Sequence, residues 1–370
     1  MSRVLIMCNT YFQLLAAMQL RLAVFGDDEV DVAVSDHSQG YELVLQNLER
    51  TGLFDKTMRL ETKEWLYASG IKGKIGHVID ALTSRHKAPI HEKYDHILFY
   101  NCALDVCALM DLYASQGYEA EWSWFEEGLL SYESDVSSQW GKSVQIANAK
   151  HRLLHGHTYD SLISSYYCFF PSMKLTTAPG VELRAIPPIS QTQQQLVPLL
   201  KAVFDIDGFS CPQRYIYFAS SSDVDGTPFG ETELVLKIAE LVGPQNLLVK
   251  MHPRDERTVY QDAGIAVMQN SYVPWEVMQL IGDVAGKTLI TSVSGSFISI
   301  SAMMQPAPRS LFVFAPAAGN EWYCARAAYI ADVVERLHVL DLCPNIQAIP
   351  LATLEEALGC GQQTAGGAQA

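Results

Sequence analysis

Glu126, Glu127 and Gly128 stand together directly after the aromatic run from Trp122 to Phe125. A carboxylate at the carboxyl end of a strand is where a general base sits, and a neighbouring like charge with partial burial raises its pKa toward neutrality. Gly128 admits backbone conformations that other residues resist. The same three residues also fit a surface turn with two solvated acids. In the other half of the chain, His252 and Pro253 follow the expected strand 246–250. Proline cannot extend a ladder, so the imidazole is left at the end of a strand. With an ordinary pKa of about 6.5, it can donate a proton near neutrality. Lys250 and Arg254 flank it, which places three cationic or donor groups within five residues. Such a cluster suits a phosphate, although a turn histidine has the same look. Ser292, Ser294, Gly295, Ser296 and Ser299 follow a further apolar run, 288–292. Hydroxyls and backbone N–H groups at a helix start make an anion site or an ordinary N-cap. Ser220, Ser221 and Ser222 repeat the arrangement after residues 215–219.

These groups need strands to end beside them, and the hydrophobic pattern supplies the strands. Residues 4–7, 30–34 and 96–100 read as buried strands, while 13–24, 41–51 and 103–115 carry helical spacing. After Cys211 the alternation resumes, with strands at 215–219, 246–250, 288–292 and 310–315 and helices at 231–242, 297–304 and 321–337. Alternation of this kind predicts parallel sheets with crossover helices, which bind ligands outside the carboxyl ends of their strands. The Pro- and Gln-rich stretch PPISQTQQQ at 187–195 reads as a linker. The expected organisation is an acceptor-side domain over 1–190, a linker over 191–210, a donor-side domain over 211–345, and a partly disordered tail over 346–370.

With 370 residues, two domains are the expectation. The net charge of −15 and pI near 5.1 argue against a nucleic-acid partner, which needs a basic surface. No GxGxxG follows an expected strand and no GxxxxGK[ST] occurs, which disfavours dinucleotide and P-loop sites. The eight cysteines form no CxxC pair, and no Cys/His set has zinc-finger spacing. Reduced thiols in a cytoplasmic protein are expected. MSRVLIMCNT lacks a signal-peptide pattern, and residues 11–25 are too short and too polar to span a bilayer. Lys63, Lys72, Lys74, Arg85, Lys87 and Lys93 make one basic stretch. It reads as a solvated helical insertion or as a face for an anionic acceptor or membrane.

In order and spacing, the acid–acid–Gly, His-Pro and later serine elements resemble the motifs of bacterial sialyltransferases. The resemblance is to glycosyltransferase family 52 and the related polysialyltransferases of family 38. The N-terminal CNTYFQLLAAMQ also resembles the family 52 opening. Here the third motif is Ser294-Gly295-Ser296, with a glycine separating the serines, so which serine meets the donor stays open. The resemblance implies an α/β fold of two Rossmann-like domains facing across a cleft, the GT-B type. It implies transfer of sialic acid from CMP-sialic acid to a galactose or sialic acid hydroxyl, with inversion and with no metal or other cofactor. Glu126 is then the base, supported by Glu127 and Gly128, and His252 acts on the departing CMP phosphate. Lys250, Pro253, Arg254, Ser220, Ser221, Ser294, Gly295 and Ser296 form the expected donor-binding set.

The expected partners are a nucleotide-sugar donor and a glycan acceptor of a bacterial lipooligosaccharide or capsule. A lipid-linked acceptor, a peripheral contact with the cytosolic face of the inner membrane, and a homodimer remain open. Two alternatives stand beside this reading. One is a related transferase using a UDP-hexose or CMP-Kdo, and the other is a non-catalytic nucleotide-sugar-binding protein on the same fold.

Overall fold

The structure is a computed structural model. It describes residues 1–62, 76, 79, 82–83, 88–101, 103–132, 140–174, 178–268, 272–284, 286–296, 298, 307–314 and 320–359. The chain divides into two compact units, Met1–Asp207 and Gly208–Ala370.

The first unit runs β1 (Arg3–Cys8), α1 (Tyr11–Ala23), β2 (Glu29–Ser35), α2 (Tyr41–Thr51), β3 (Lys56–Leu60), β4 (His96–Phe99), α3 (Leu104–Gln116) and β5 (Glu121–Phe125). It continues with α4 (Lys142–His155), β6 (Ile163–Cys168), β7 (Glu182–Ala185) and α5 (Gln193–Phe204). Its seven strands pair in parallel in the order β3-β2-β1-β4-β5-β6-β7. The order reverses between β1 and β4. Val4 through Cys8 are fully buried, as expected of a strand covered on both faces. Helix α1 starts on a capping box: Thr10 accepts from the Gln13 backbone N–H, and the Gln13 side chain accepts from the Thr10 N–H.

The stretch read as a linker over 191–210 is largely helix α5. Leu196, Leu200, Val203 and Phe204 bury one stripe of it, and the Phe204 ring meets Tyr11 edge-on at 5.4 Å. Gln19 reaches the preceding prolines and donates to the Pro187 carbonyl at 2.8 Å. Proline and glutamine made this segment look like loop, while its apolar stripe carries it into the first unit's core.

The second unit runs β8 (Tyr215–Phe218), α6 (Glu231–Val242), β9 (Leu247–Lys250), α7 (Val259–Asp262), β10 (Ala266–Val267), α8 (Trp275–Ile281), β11 (Thr288–Thr291) and β12 (Arg309–Phe314). Then follow α9 (Glu321–Val339), β13 (Ile346–Pro350) and α10 (Leu354–Leu358). The strands are again parallel, ordered β10-β9-β8-β11-β12-β13, with the reversal between β8 and β11. On one face Tyr217, Val249, Ile290, Leu311 and Val313 pack under α6, α7 and α10. On the other, Phe218 meets Trp275 of α8 at 5.0 Å. The tail expected over 346–370 begins as structure: Ile346 and Leu354 are fully buried, because β13 pairs with β12 and α10 covers the core.

The other expected tail residues, 360–370, lie outside the described residues. So do Ser299, most of the expected helix over 297–304, and Lys63, Lys72, Lys74, Arg85 and Lys87. Lys93 is described, with its ammonium 5.4 Å above the Tyr118 ring. Among the described residues, no helix is long and apolar enough to cross a membrane.

Candidate functional site

Glu126 and Glu127 leave the carboxyl end of β5, in the middle of a covered parallel sheet, and their environments differ. The Glu126 N–H donates to the Tyr167 carbonyl at 2.9 Å, which continues the β5–β6 ladder by one bond. Its side chain is 1% exposed. Its Oε2 accepts from the Tyr132 hydroxyl at 2.5 Å and from the Phe169 N–H at 2.9 Å. Tyr132 ends a short 3-10 turn, Leu129–Tyr132, that folds back beside the strand end. Glu126 thus ties three segments together.

Glu127 is half-buried, and among the described residues its backbone N–H donates to Ser131 Oγ at 3.0 Å. Burial pushes its carboxyl up to about 7. Gly128 follows at φ +121°, a backbone state that side chains disfavour, and among the described residues nothing lies within 4 Å of where a Cβ would be. The glycine is there for the turn rather than for space.

The switch point of the same sheet adds residues that the sequence reading missed. Asn9 and Asn101 each lie three residues past the last β1–β4 pair, Ile6 and Leu98, just beyond the strand ends at Cys8 and Phe99. Asn9 Oδ1, Asn101 Oδ1 and Gln13 Nε2 are buried and have no hydrogen-bond partner among the described residues. Buried amides without partners are rare and mark a place where a polar ligand can complete them. Their sequence signal was slight: a polar residue just past each of two strands flanking a topological reversal.

In the second unit the expected donor residues gather at one sheet edge, because β9, β8 and β11 are neighbours. His252 follows β9 by two residues and is half-buried. The Arg254 backbone N–H donates to His252 Nδ1 at 3.2 Å, which leaves the proton on Nε2. Burial, the Arg254 guanidinium and the Lys250 ammonium hold this imidazole down at about 4, well below the ordinary value expected for it. It is therefore a neutral Nε2–H donor at physiological pH rather than a half-protonated acid. Pro253 sets the turn between them. Lys250 ends β9, and burial lowers its ammonium to about 8 against the opposing Glu276 carboxylate. Burial lifts Glu276 itself to about 7.

Ser294, Gly295 and Ser296 are half-buried after β11. The two hydroxyls lie 3.1 Å apart, and the Ser294 N–H donates to Thr291 Oγ1 at 3.1 Å. Ser292 is turned away, donating to the Val313 carbonyl at 2.7 Å.

Other expected donor residues are committed elsewhere. The Ser220 hydroxyl donates to Glu231 Oε2 at 2.6 Å, and its N–H lies 3.0 Å from the same oxygen. A carboxylate already occupies the place where a bound anion would be. Ser221 donates to Asp225 Oδ2 at 2.6 Å, and Ser222 is buried. Arg254 grips Asp225 with both ends of its guanidinium, at 2.7 and 2.9 Å, and reaches Ser221 Oγ at 3.0 Å. The structure therefore gives Ser220, Ser221 and Arg254 the work of building the β8–α6 and β9 loops.

No protein-family model matches the sequence, and no curated protein sequence matches it. Solved structures do resemble it. The Methanocaldococcus jannaschii UDP-GlcNAc 2-epimerase, in complex with UDP-GlcNAc and UDP, is 11% identical with TM-score 0.53, over 96% of this chain and 92% of that one. The α/β-galactoside α-2,3-sialyltransferase of Photobacterium phosphoreum is 12% identical with TM-score 0.50, over 95% and 99%. The glycotransferase of kitacinnamycin is 13% identical with TM-score 0.50, over 96% and 88%. The likeness is one of fold: two parallel-sheet α/β domains of the GT-B type.

Proposed function

We propose that the protein is an inverting sialyltransferase that moves sialic acid from CMP-sialic acid to a galactose or sialic acid hydroxyl of a bacterial surface glycan. The observation that carries this reading is that each unit, by itself, presents a proton-handling group at a strand end. One is a half-buried carboxyl near pKa 7 in the first unit, and the other is a neutral imidazole with a fixed tautomer beside a lysine in the second. The motif resemblance gives the donor, and the fold shared with a sialyltransferase supports the class.

In this reading the acceptor hydroxyl loses its proton to Glu127 as its oxygen bonds the anomeric carbon. The bond from that carbon to the CMP phosphate oxygen breaks, through an oxocarbenium-like state. Charge builds on the departing phosphate, where His252 Nε2–H, Lys250 and the Ser294 and Ser296 hydroxyls meet it. Glu126, assigned the base by resemblance, instead holds the loop geometry through Tyr132 and Phe169. Asn9, Asn101 and Gln13 supply amide groups that sugar hydroxyls of the acceptor can complete. No metal takes part in the transfer in this reading.

The test is donor release. Purified protein with CMP-sialic acid, with and without lactose, is followed for CMP without added metal. Lactose-stimulated release supports the reading. Release from UDP-hexoses or CMP-Kdo instead overturns the donor, and no release from any nucleotide sugar overturns the enzyme class.

A further inference from the structure

The first unit carries a second cluster that the transfer chemistry does not use. His151 and His155 lie four residues apart on α4 and so share a face. Gly156 ends the helix at φ +80°, and His157 follows it directly. The His151 ring centre is 4.7 Å from that of His155 and 4.9 Å from that of His157. Asp111 reaches the group from α3: its Oδ1 lies 2.6 Å from His151 Nδ1 and accepts from the Tyr159 hydroxyl at 2.9 Å. Lys150 donates to Asp111 Oδ2 at 2.5 Å. One ligand atom from each of Asp111, His151 and His155 can be chosen so that all lie within 4.8 Å of one another.

The decisive atoms are the ones left over. His151 is fully buried, and its Nε2 has no hydrogen-bond partner among the described residues. His157 Nδ1 is buried and likewise without one. An ordinary core histidine has both ring nitrogens satisfied. A His151 that donates Nδ1–H to Asp111 presents an Nε2 lone pair, and a buried lone pair beside two further imidazoles is the arrangement a metal ion completes.

We infer that His151 and His155, drawing in His157 from a ring centre 6.2 Å from that of His155, bind one divalent transition-metal ion of the zinc class, with Asp111 orienting His151. Imidazole nitrogen suits Zn²⁺ and its first-row neighbours, and disfavours Mg²⁺ and Ca²⁺. Tetrahedral nitrogens sit about 3.3 Å apart around Zn²⁺, so a loaded site draws these side chains slightly inward.

The position makes the ion structural. Helix α4 ends where the chain turns through Tyr159 and a short 3-10 turn, Asp160–Leu162, into the start of β6. The cluster therefore lies at the amino ends of the strands, and Glu127 lies beyond the carboxyl end of β5. An ion there pins α3, α4 and the entry to β6 together.

The experiment uses the full chain without a histidine tag, stripped with EDTA and titrated with ZnSO₄ by calorimetry and with CoCl₂ by visible absorption. The expected result is one equivalent of Zn²⁺, an intense tetrahedral Co²⁺ spectrum, and no competition from Mg²⁺. The double variant His155→Gln/His157→Gln is expected to lose affinity by at least about 10-fold with its far-ultraviolet dichroism unchanged. Should that variant misfold, the Co²⁺ spectrum of the unaltered protein decides. The inference is overturned by a Co²⁺ spectrum of octahedral aquo type, by substoichiometric Zn²⁺, or by unchanged affinity in a folded double variant. Because the readout is metal binding, its failure leaves the donor-release test untouched.

Discussion

Replacing Glu127 with glutamine separates a working carboxylate from a merely structural one, because the two roles move rate and stability in opposite directions. In the folded protein the carboxyl is raised from 4.5 to about 7 by burial alone. A raised acid binds its proton more tightly when folded than when unfolded. Its penalty is thus absent below pH 4.5, grows as pH rises toward 7, and is complete above 7. At roughly 1.36 kcal/mol per decade, the ceiling on that penalty is about 3.4 kcal/mol. Solvent at this half-buried site and the desolvation of the new amide reduce the expected gain to about 1–2 kcal/mol. For a unit of this size that is about 2–8 °C in Tm. Glu127→Gln is therefore expected to melt higher than the parent at pH 8 and to match it near pH 4.5. Turnover should fall by at least about 100-fold, the usual worth of a general base. In the parent, kcat/KM should fall about tenfold per pH unit below 7, as the base takes up its proton. Glu126→Gln keeps an oxygen for Tyr132 and Phe169, and should lower turnover by no more than about 10-fold. The measurements are scanning calorimetry at two pH values and CMP release under saturating lactose. Near-normal turnover in Glu127→Gln, with activity abolished in Glu126→Gln, would refute the assignment and return the base to the buried carboxylate.

Loss of the imidazole in His252→Ala should lower turnover by at least about 100-fold. Because His252 titrates near 4, the parent should show no imidazole limb between pH 6 and 8, and one appearing there would contradict the neutral-donor role. Ser294→Ala should raise the KM for CMP-sialic acid several-fold and leave Tm within about 1 °C. Ser220→Ala should do the reverse, because it removes the hydroxyl donor from the buried Glu231: about 1–3 kcal/mol of stability lost, read by urea unfolding, with donor KM unchanged. Asn101→Ala should raise the KM for lactose and spare donor hydrolysis without acceptor; an equal effect on both would take Asn101 out of the acceptor site.

The two parallel sheets were legible because a strand buried on both faces leaves a continuous apolar run, as in Val4 to Cys8 and Tyr215 to Phe218. Strands with weaker faces escaped. Lys56–Leu60 and Glu182–Ala185 sit at the sheet's edges, are half exposed, and carry charges that broke the pattern. Helix α5 escaped for the opposite reason, since proline and glutamine masked an apolar stripe that only packing against α1 and α2 reveals.

The candidate site divides along the same physical line. That a residue follows a strand is local, so the sequence could place Glu126, Glu127, His252 and Ser294 at strand ends. Which of two adjacent acids faces solvent is not local. It depends on Tyr132 and Phe169 arriving from six and 43 residues away to bury Glu126. In the same way, nothing near Ser220 announces that Glu231 takes its donors. The histidine cluster shows both halves of the lesson at once. H-x3-H-x-H was visible at 151–157, but a search for zinc-finger spacing passes over it. Its third dimension, Asp111 at 40 residues' remove, exists only once α3 packs on α4. Local patterns locate chemistry at element ends. The long-range partner decides which atom of the pattern is left to act, and in the readings proposed for this protein those atoms are the Glu127 carboxylate, His252 Nε2 and His151 Nε2.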